Sequence, residues 1–201
     1  MRCAFCVTNT EENEEIYVRS EHLKAVIIRH AEVDFDWSRW GSSYEFDSDC
    51  SGYDSAHIKE EAYSIPQIDY RKIYISELSR SRDTAQLMFP GCDHIKSGLI
   101  NEVPLRSSFD TKKKIPLWFW NLSGRLQWFV NSSRQTEGRN QTKERAKQFV
   151  AMICNEGMDC AVITHGFFMH TLLSEMKKAG FRTNNSSAEY KNGEYIIAVH
   201  L

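Results

Sequence analysis

The chain has 201 residues, 41% of them hydrophobic, which suits one compact domain over residues 1–201 with a sizeable core and an insertion, and excludes two independent domains. Lysine plus arginine (25) nearly balance aspartate plus glutamate (27), for a formal charge of −2. No global field therefore draws the chain to nucleic acid or to an anionic membrane, and any affinity for an anion is local.

Residues 1–22 read as a polar lead-in that turns acidic at "EENEE", with one short strand candidate at "IYV" and no apolar run of the kind a signal peptide needs. Six cysteines, at 3, 6, 50, 92, 154 and 160, are too sparse for a disulfide scaffold. Several sit among apolar residues as buried thiols do, which indicates a reducing, cytoplasmic setting. The C-x-x-C of Cys3 and Cys6 has no second ligand pair, so neither a metal nor another cofactor is expected. Sequons at Asn121, Asn131, Asn140 and Asn185 carry no weight in a chain that is not secreted.

The core begins at Lys24. "KAVIIR" is a continuous β-branched run, as expected of a strand covered on both faces. "KIYIS" (72–76) repeats it and feeds a helix in "SRSRDTAQLMF", where Ala85, Met88 and Phe89 recur at helical spacing before Pro90-Gly91. A strand follows at His94–Ser97. In "TKERAKQFVAMICNEG", Ala146, Phe149, Val150, Ile153 and Cys154 keep one helical face, and Gly157 stands where a C-cap belongs. "CAVIT" is the next buried strand, then His165-Gly166, a helix from about Phe167 to Lys178 stopped by Gly180, and a last strand "EYIIAVH". This alternation predicts an α/β layered domain with a mostly parallel sheet. Segments 34–66 and 103–140 fall outside it. The first is acidic, aromatic and serine-rich, and reads as a helix-and-loop excursion over the sheet. The second holds the aromatic stretch "IPLWFWNLSGRLQWFV" (115–130), which as a helix puts Leu117, Trp120, Gly124 and Trp128 on one face. We read it as a lid and substrate wall in preference to a membrane contact, because only Arg125 lies within it.

In open α/β sheets ligands bind beyond the carboxyl ends of the strands. Three such ends here carry Arg29-His30, Ser76 through Arg80, and His165-Gly166. Two guanidiniums and two imidazoles directed to one region make a phosphate pocket. A neutral imidazole can attack phosphorus, a second can stabilise the equatorial oxygens, and nearby arginines keep the attacking ring neutral. Glu102, in "LINEVPL", is the carboxyl best placed by sequence to protonate a leaving oxygen, and a facing dianion would hold it in its acid form. Arg80 at a helix N-terminus opposes the helix dipole and so asks for an anionic partner.

These residues resemble the histidine phosphatase superfamily, with its phosphoglycerate mutase-like fold. Arg29-His30-Ala31-Glu32 is similar to its first motif, "SELSRSRDTA" (76–85) to its second, Asn101-Glu102 to its acidic motif, and Thr164-His165-Gly166 to its closing motif. The four occur in family order from Lys24 to about Glu175. The resemblance implies a three-layer α/β/α sandwich with a mostly parallel mixed sheet and helical cap insertions over the pocket. It implies a histidine acid-type phosphatase, a phosphoric monoester hydrolase free of metal and cofactor, with His30 as phosphohistidine nucleophile and Glu102 as proton donor. Arg29, Arg80, His165 and Gly166 would then form the phosphate pocket, and the substrate would be a phosphorylated small molecule or a phosphopeptide, with no nucleic-acid partner and no stable membrane insertion. Two departures stand out. Ala31 replaces a glycine, and Asp36 stands where relatives carry asparagine, a carboxylate that would repel a dianion unless turned away or paired. A mutase-type phosphotransferase and a phosphate- or partner-binding module of low activity remain open as alternatives.

Overall fold

A computed structural model describes residues 22–59, 61–65, 70–183 and 190–200. The "IYV" segment, Cys3, Cys6 and Asn185 lie outside them. Strand β1 (Leu23–Arg29) lies at the centre, and its unbroken apolar run follows from having no solvent face. Ala25 and Ile27 enter one apolar cluster while Val26 and Ile28 enter the other, as the two-residue period of a strand requires.

The chain continues through β2 (Trp40–Gly41), α1 (Ser43–Ser55), β3 (Lys72–Ile75), α2 (Ser79–Met88), β4 (Ile95–Lys96), a 3-10 turn at Gly98–Ile100, β5 (Ile115–Pro116) and α3 (Leu117–Phe129). It ends with α4 (Arg139–Glu156), β6 (Cys160–Thr164), α5 (Gly166–Lys178), β7 (Phe181–Thr183) and β8 (Tyr195–His200). The main sheet has the order β4-β3-β6-β1-β8-β7. β4, β3, β6 and β1 are parallel, and only β8 runs against its neighbours. Helices α4 and α5 cover one face through Phe149, Ile153, Phe168, Leu172 and Met176. Helix α2 covers the other through Ala85 and Met88, which gives the three layers anticipated from the sequence.

Local chemistry accounts for the helix ends. Ser42 and Glu45 form a reciprocal capping box at the start of α1. Gly157 closes α4 in the left-handed region at φ +62°, where a side chain would be strained. α4 begins three residues before the predicted Thr142, because the Gln141 side chain accepts the Gly138 N–H at 2.8 Å. β7 and the β2-β5 ladder have no sequence signal, since strands of two or three residues show no period. That small ladder pairs Trp40 with Pro116 and Gly41 with Ile115, tying the two excursions together. Trp120 strengthens the tie: it is fully buried, stacks on Phe46 and donates its indole N–H to the Gly41 carbonyl at 3.0 Å. Gly124 lets α3 sit close to the chain beneath it, where a Cβ would lie 2.6 Å from Leu105.

Candidate active site

The parallel register brings the strand ends together. Arg29 lies beside Thr164, and Ile75 beside Ile163, so the residues that follow, His30, Ser76 and His165, converge above one edge of the sheet. The His30 and His165 rings lie 5.0 Å apart between centroids. Both are buried, at 2% and 0% exposure.

Hydrogen bonds fix each ring's tautomer. His30 Nδ1 lies 2.7 Å from the Ala31 carbonyl; a carbonyl only accepts, so Nδ1 carries the proton and Nε2 keeps its lone pair. Burial first, then the Arg80 and Arg29 guanidiniums, lower His30 from its ordinary 6.5 to about 3. His165 accepts at Nδ1 from Arg80 Nε–H at 3.1 Å, so its proton is on Nε2, which donates to Ser76 Oγ at 2.7 Å. Burial, His30 and Arg80 hold His165 well below 6.5.

Both histidines thus resist protonation in the folded chain, whereas the unfolded chain takes up protons near 6.5. Stability is complete above that pH and falls as pH drops from 6.5 toward 3. Between pH 6.5 and about 4.5, His30 alone is expected to cost on the order of 2 to 3 kcal/mol. Urea unfolding across that range checks this, and His30→Gln should flatten the slope.

Arg80, in the first turn of α2, is fully buried. It meets a carboxylate of the protein: its Nη1 donates to Asp54 Oδ1 at 2.9 Å, and its guanidinium lies 4.8 Å from the Tyr53 ring centre. Asp54 is 49% exposed, so it can swing into water and free the guanidinium for an incoming anion. Asp36, by contrast, is exposed and does not line the cavity described below. Ala31 is fully buried, and Thr84 Oγ1 accepts its N–H at 2.9 Å while donating to the Arg80 carbonyl at 2.6 Å. Asn192, on the chain entering β8, donates to the His30 and Ala31 carbonyls at 3.1 Å.

Glu102 lies across the N-terminus of α5. Its Oε1 accepts the N–H of Val103 at 2.8 Å and of Phe168 at 3.0 Å, and Oε2 has one long contact, 3.4 Å from Phe167 N. Oε2 is therefore the less engaged of the two oxygens. Thr164 Oγ1 donates to Ile100 O at 2.7 Å, and Arg145 donates to Leu99 O and Asn101 O at 2.9 and 2.7 Å. These bonds hold the segment that carries Glu102.

The predicted residues do not all face one cavity. Arg80 and Glu102 line a cavity of about 390 Å³ with Trp37, Tyr53, Asn121 and Arg125. Arg29 and Gly166 line a second cavity with Tyr190 and Asn192, and the two histidines are buried away from both linings. Arg29 donates to the Tyr190 carbonyl, and its buried Nε has no partner. A Cβ on Gly166 would lie 2.9 Å from that Nε. Gly166→Ala is therefore expected to displace the guanidinium and weaken binding of inorganic phosphate about tenfold, as isothermal titration would measure.

Sequence reading missed Asp54, Asn192, Arg125 and Arg145. Arg125 donates to Val103 O at 3.1 Å and lies 3.7 Å from the Phe167 ring centre. Burial pushes the Cys50 thiol, also on the cavity wall, up to about 12, leaving it protonated and a poor nucleophile. Among the described residues no group of three or more His, Cys, Asp or Glu is placed to hold a metal ion.

A family model described as "Histidine phosphatase superfamily (branch 1)" matches residues 25–197. No curated protein matches the chain. Among solved structures, the chain is similar to mycobacterial glucosyl-3-phosphoglycerate phosphatase, with 14% identity, coverage of 89% of this chain and 90% of that one, and a TM-score of 0.56. It is also similar to a putative alpha-ribazole-5'-P phosphatase from Escherichia coli, with 14% identity, 87% and 89% coverage, and a TM-score of 0.54. A phosphoserine phosphatase mutant from Entamoeba histolytica in complex with phosphoserine has 15% identity, 87% and 94% coverage, and a TM-score of 0.51.

Proposed function

Because the chain belongs to the histidine phosphatase superfamily, we propose that it hydrolyses a phosphomonoester without a metal, through a phosphohistidine on His30. The observation that carries this reading is the His30 tautomer: with Nδ1–H bound to the Ala31 carbonyl, the neutral ring keeps its nucleophilic lone pair on Nε2. That lone pair attacks phosphorus, the bond from phosphorus to the leaving oxygen breaks, and Glu102 gives that oxygen its proton. Water then attacks the phosphohistidine and passes a proton to Glu102, the N–P bond breaks, and phosphate leaves. Arg29 and Arg80 offset the charge on the equatorial oxygens, His165 orients Arg80 by accepting its Nε–H, and Gly166 gives Arg29 its room.

A cavity of about 390 Å³ with Trp37, Tyr53 and Leu105 on its walls supports a phosphorylated small molecule over a phosphopeptide. The two excursions act as its cap. The unbridged thiols of Cys50, Cys154 and Cys160 support a cytoplasmic setting. The 2% exposure of His30 favours a second reading, a module that binds phosphate and turns over slowly.

The test separates these readings. Glu102→Gln is expected to slow hydrolysis of an alkyl phosphate about 10²- to 10³-fold, yet to slow an aryl phosphate with a good leaving group far less. EDTA should change neither rate, and acid-labile phosphohistidine should accumulate in rapid-quench experiments. Equal loss on both substrates would remove Glu102 from the protonation step. Vanadate binding with no turnover of any phosphomonoester would support the binding module, and transfer between positions of a phosphoglycerate would indicate a mutase.

A further inference from the structure

Helix α3, read from its sequence as a lid in preference to a membrane contact, is apolar on two sides, and only the inner one serves as a lid. Trp120 and Gly124 are buried against the first excursion and the 104–106 chain, but Trp118, Leu122, Leu126, Phe129 and Val130 are each between 53% and 68% exposed. At spacings of four, four, three and one residues these five form one continuous outward stripe. A contiguous patch of this kind on a helix otherwise seated on the protein marks an interaction surface.

Charge selects the partner. From Thr111 to Thr136 the chain has five basic residues, Lys112, Lys113, Lys114, Arg125 and Arg134, and no aspartate or glutamate, although the chain as a whole carries −2. Lys112 and Lys113 are exposed before the helix. Beyond its other end, the Arg139 guanidinium lies 4.6 Å from the Phe129 ring centre. Lys114 and Arg134 pair with Glu45 and Asp110, acids that lie outside the segment. Both ends of the stripe are thus basic. Pairing α3 with its copy would oppose basic ends in either direction, whereas an anionic surface meets positive charge at both.

We infer that α3 docks this protein on an anionic lipid surface, lying in the headgroup plane with Trp118, Leu122, Leu126, Phe129 and Val130 turned into the acyl boundary. With 13 residues the helix is too short to cross a bilayer, which needs about 20, and no helix among the described residues is long and apolar enough to do so. An in-plane helix with bulky apolar residues on one side and lysines beside it has the chemistry of a peripheral anchor. Docking there brings the cavity that Asn121 and Arg125 line close to the headgroups. The inference stands apart from the catalytic reading, because none of the five residues lines that cavity.

Vesicle flotation of the full chain tests it. Binding is expected to phosphatidylserine-containing vesicles and not to pure phosphatidylcholine. Lys112→Ala with Lys113→Ala should weaken it on the order of 30-fold, at about 1 kcal/mol per lysine. Trp118→Ser with Leu122→Ser, both at exposed positions, should abolish it while circular dichroism and phosphate binding stay unchanged. No flotation with anionic vesicles overturns the proposal. So does a dimer in sedimentation equilibrium that the Trp118→Ser, Leu122→Ser variant dissolves, which would assign the stripe to a second copy.

Discussion

His30→Ala is expected to lower kcat toward any phosphomonoester on the order of 10⁴-fold or more, and to remove the acid-labile phosphoenzyme. The size follows from what the residue supplies. With the lone pair gone, in-line water is the remaining nucleophile, and the charges of Arg29 and Arg80 act on a substrate that nothing attacks. Arg80 stays in place, because its bonds to His165 and Asp54 do not involve His30. Phosphate binding should therefore survive the substitution. A variant that still turned over at more than a hundredth of the parental rate would place the nucleophile elsewhere.

Arg80→Met is expected to cost about 10³-fold in kcat/KM, the loss of a buried donor facing developing charge, while stability changes much less. The stem of methionine fills much of the same space. Asp54, half in water, resolvates when its partner goes, and the main penalty is the unpaired His165 Nδ1, on the order of 1–3 kcal/mol. The variant should also be more easily inactivated by acid. Arg80 lowers both His30 and His165, so its removal raises them, and an acidic limb should move up the pH profile of kcat/KM. A profile that merely scaled down, with no shift, would deny Arg80 its electrostatic role and leave it a packing residue.

Much of this site was legible because its residues follow apolar runs: Arg29-His30 after "AVII", Ser76 after "KIYI", and His165-Gly166 after "CAVIT". Burial on both faces makes such strands conspicuous, and parallel packing carries their ends to one edge. Other parts lack a local signal. Asp54 meets Arg80 from 26 residues away, on a helix with few buried positions, and the carboxylate singled out by sequence, Asp36, turns out to be exposed. Asn192 reaches His30 because β8 returns antiparallel, a choice of direction that hydrophobic pattern does not encode. The placement of Arg29 and Gly166 on a different cavity from Arg80 and Glu102 depends on where long side chains come to rest, which spacing cannot specify.

The reversed direction of β8 also makes the sheet a ruler. Its Tyr195 end lies beside Ile28 and its His200 end beside Leu23, so the backbone just before β8 is measured off against the residues that follow β1. A slip of one residue in that ladder would slide Asn192 by about 3.3 Å along His30 and break its bonds to the His30 and Ala31 carbonyls. Insertions between Lys191 and Tyr195 should for that reason be far more damaging than insertions of the same length beside His200, at the other end of β8.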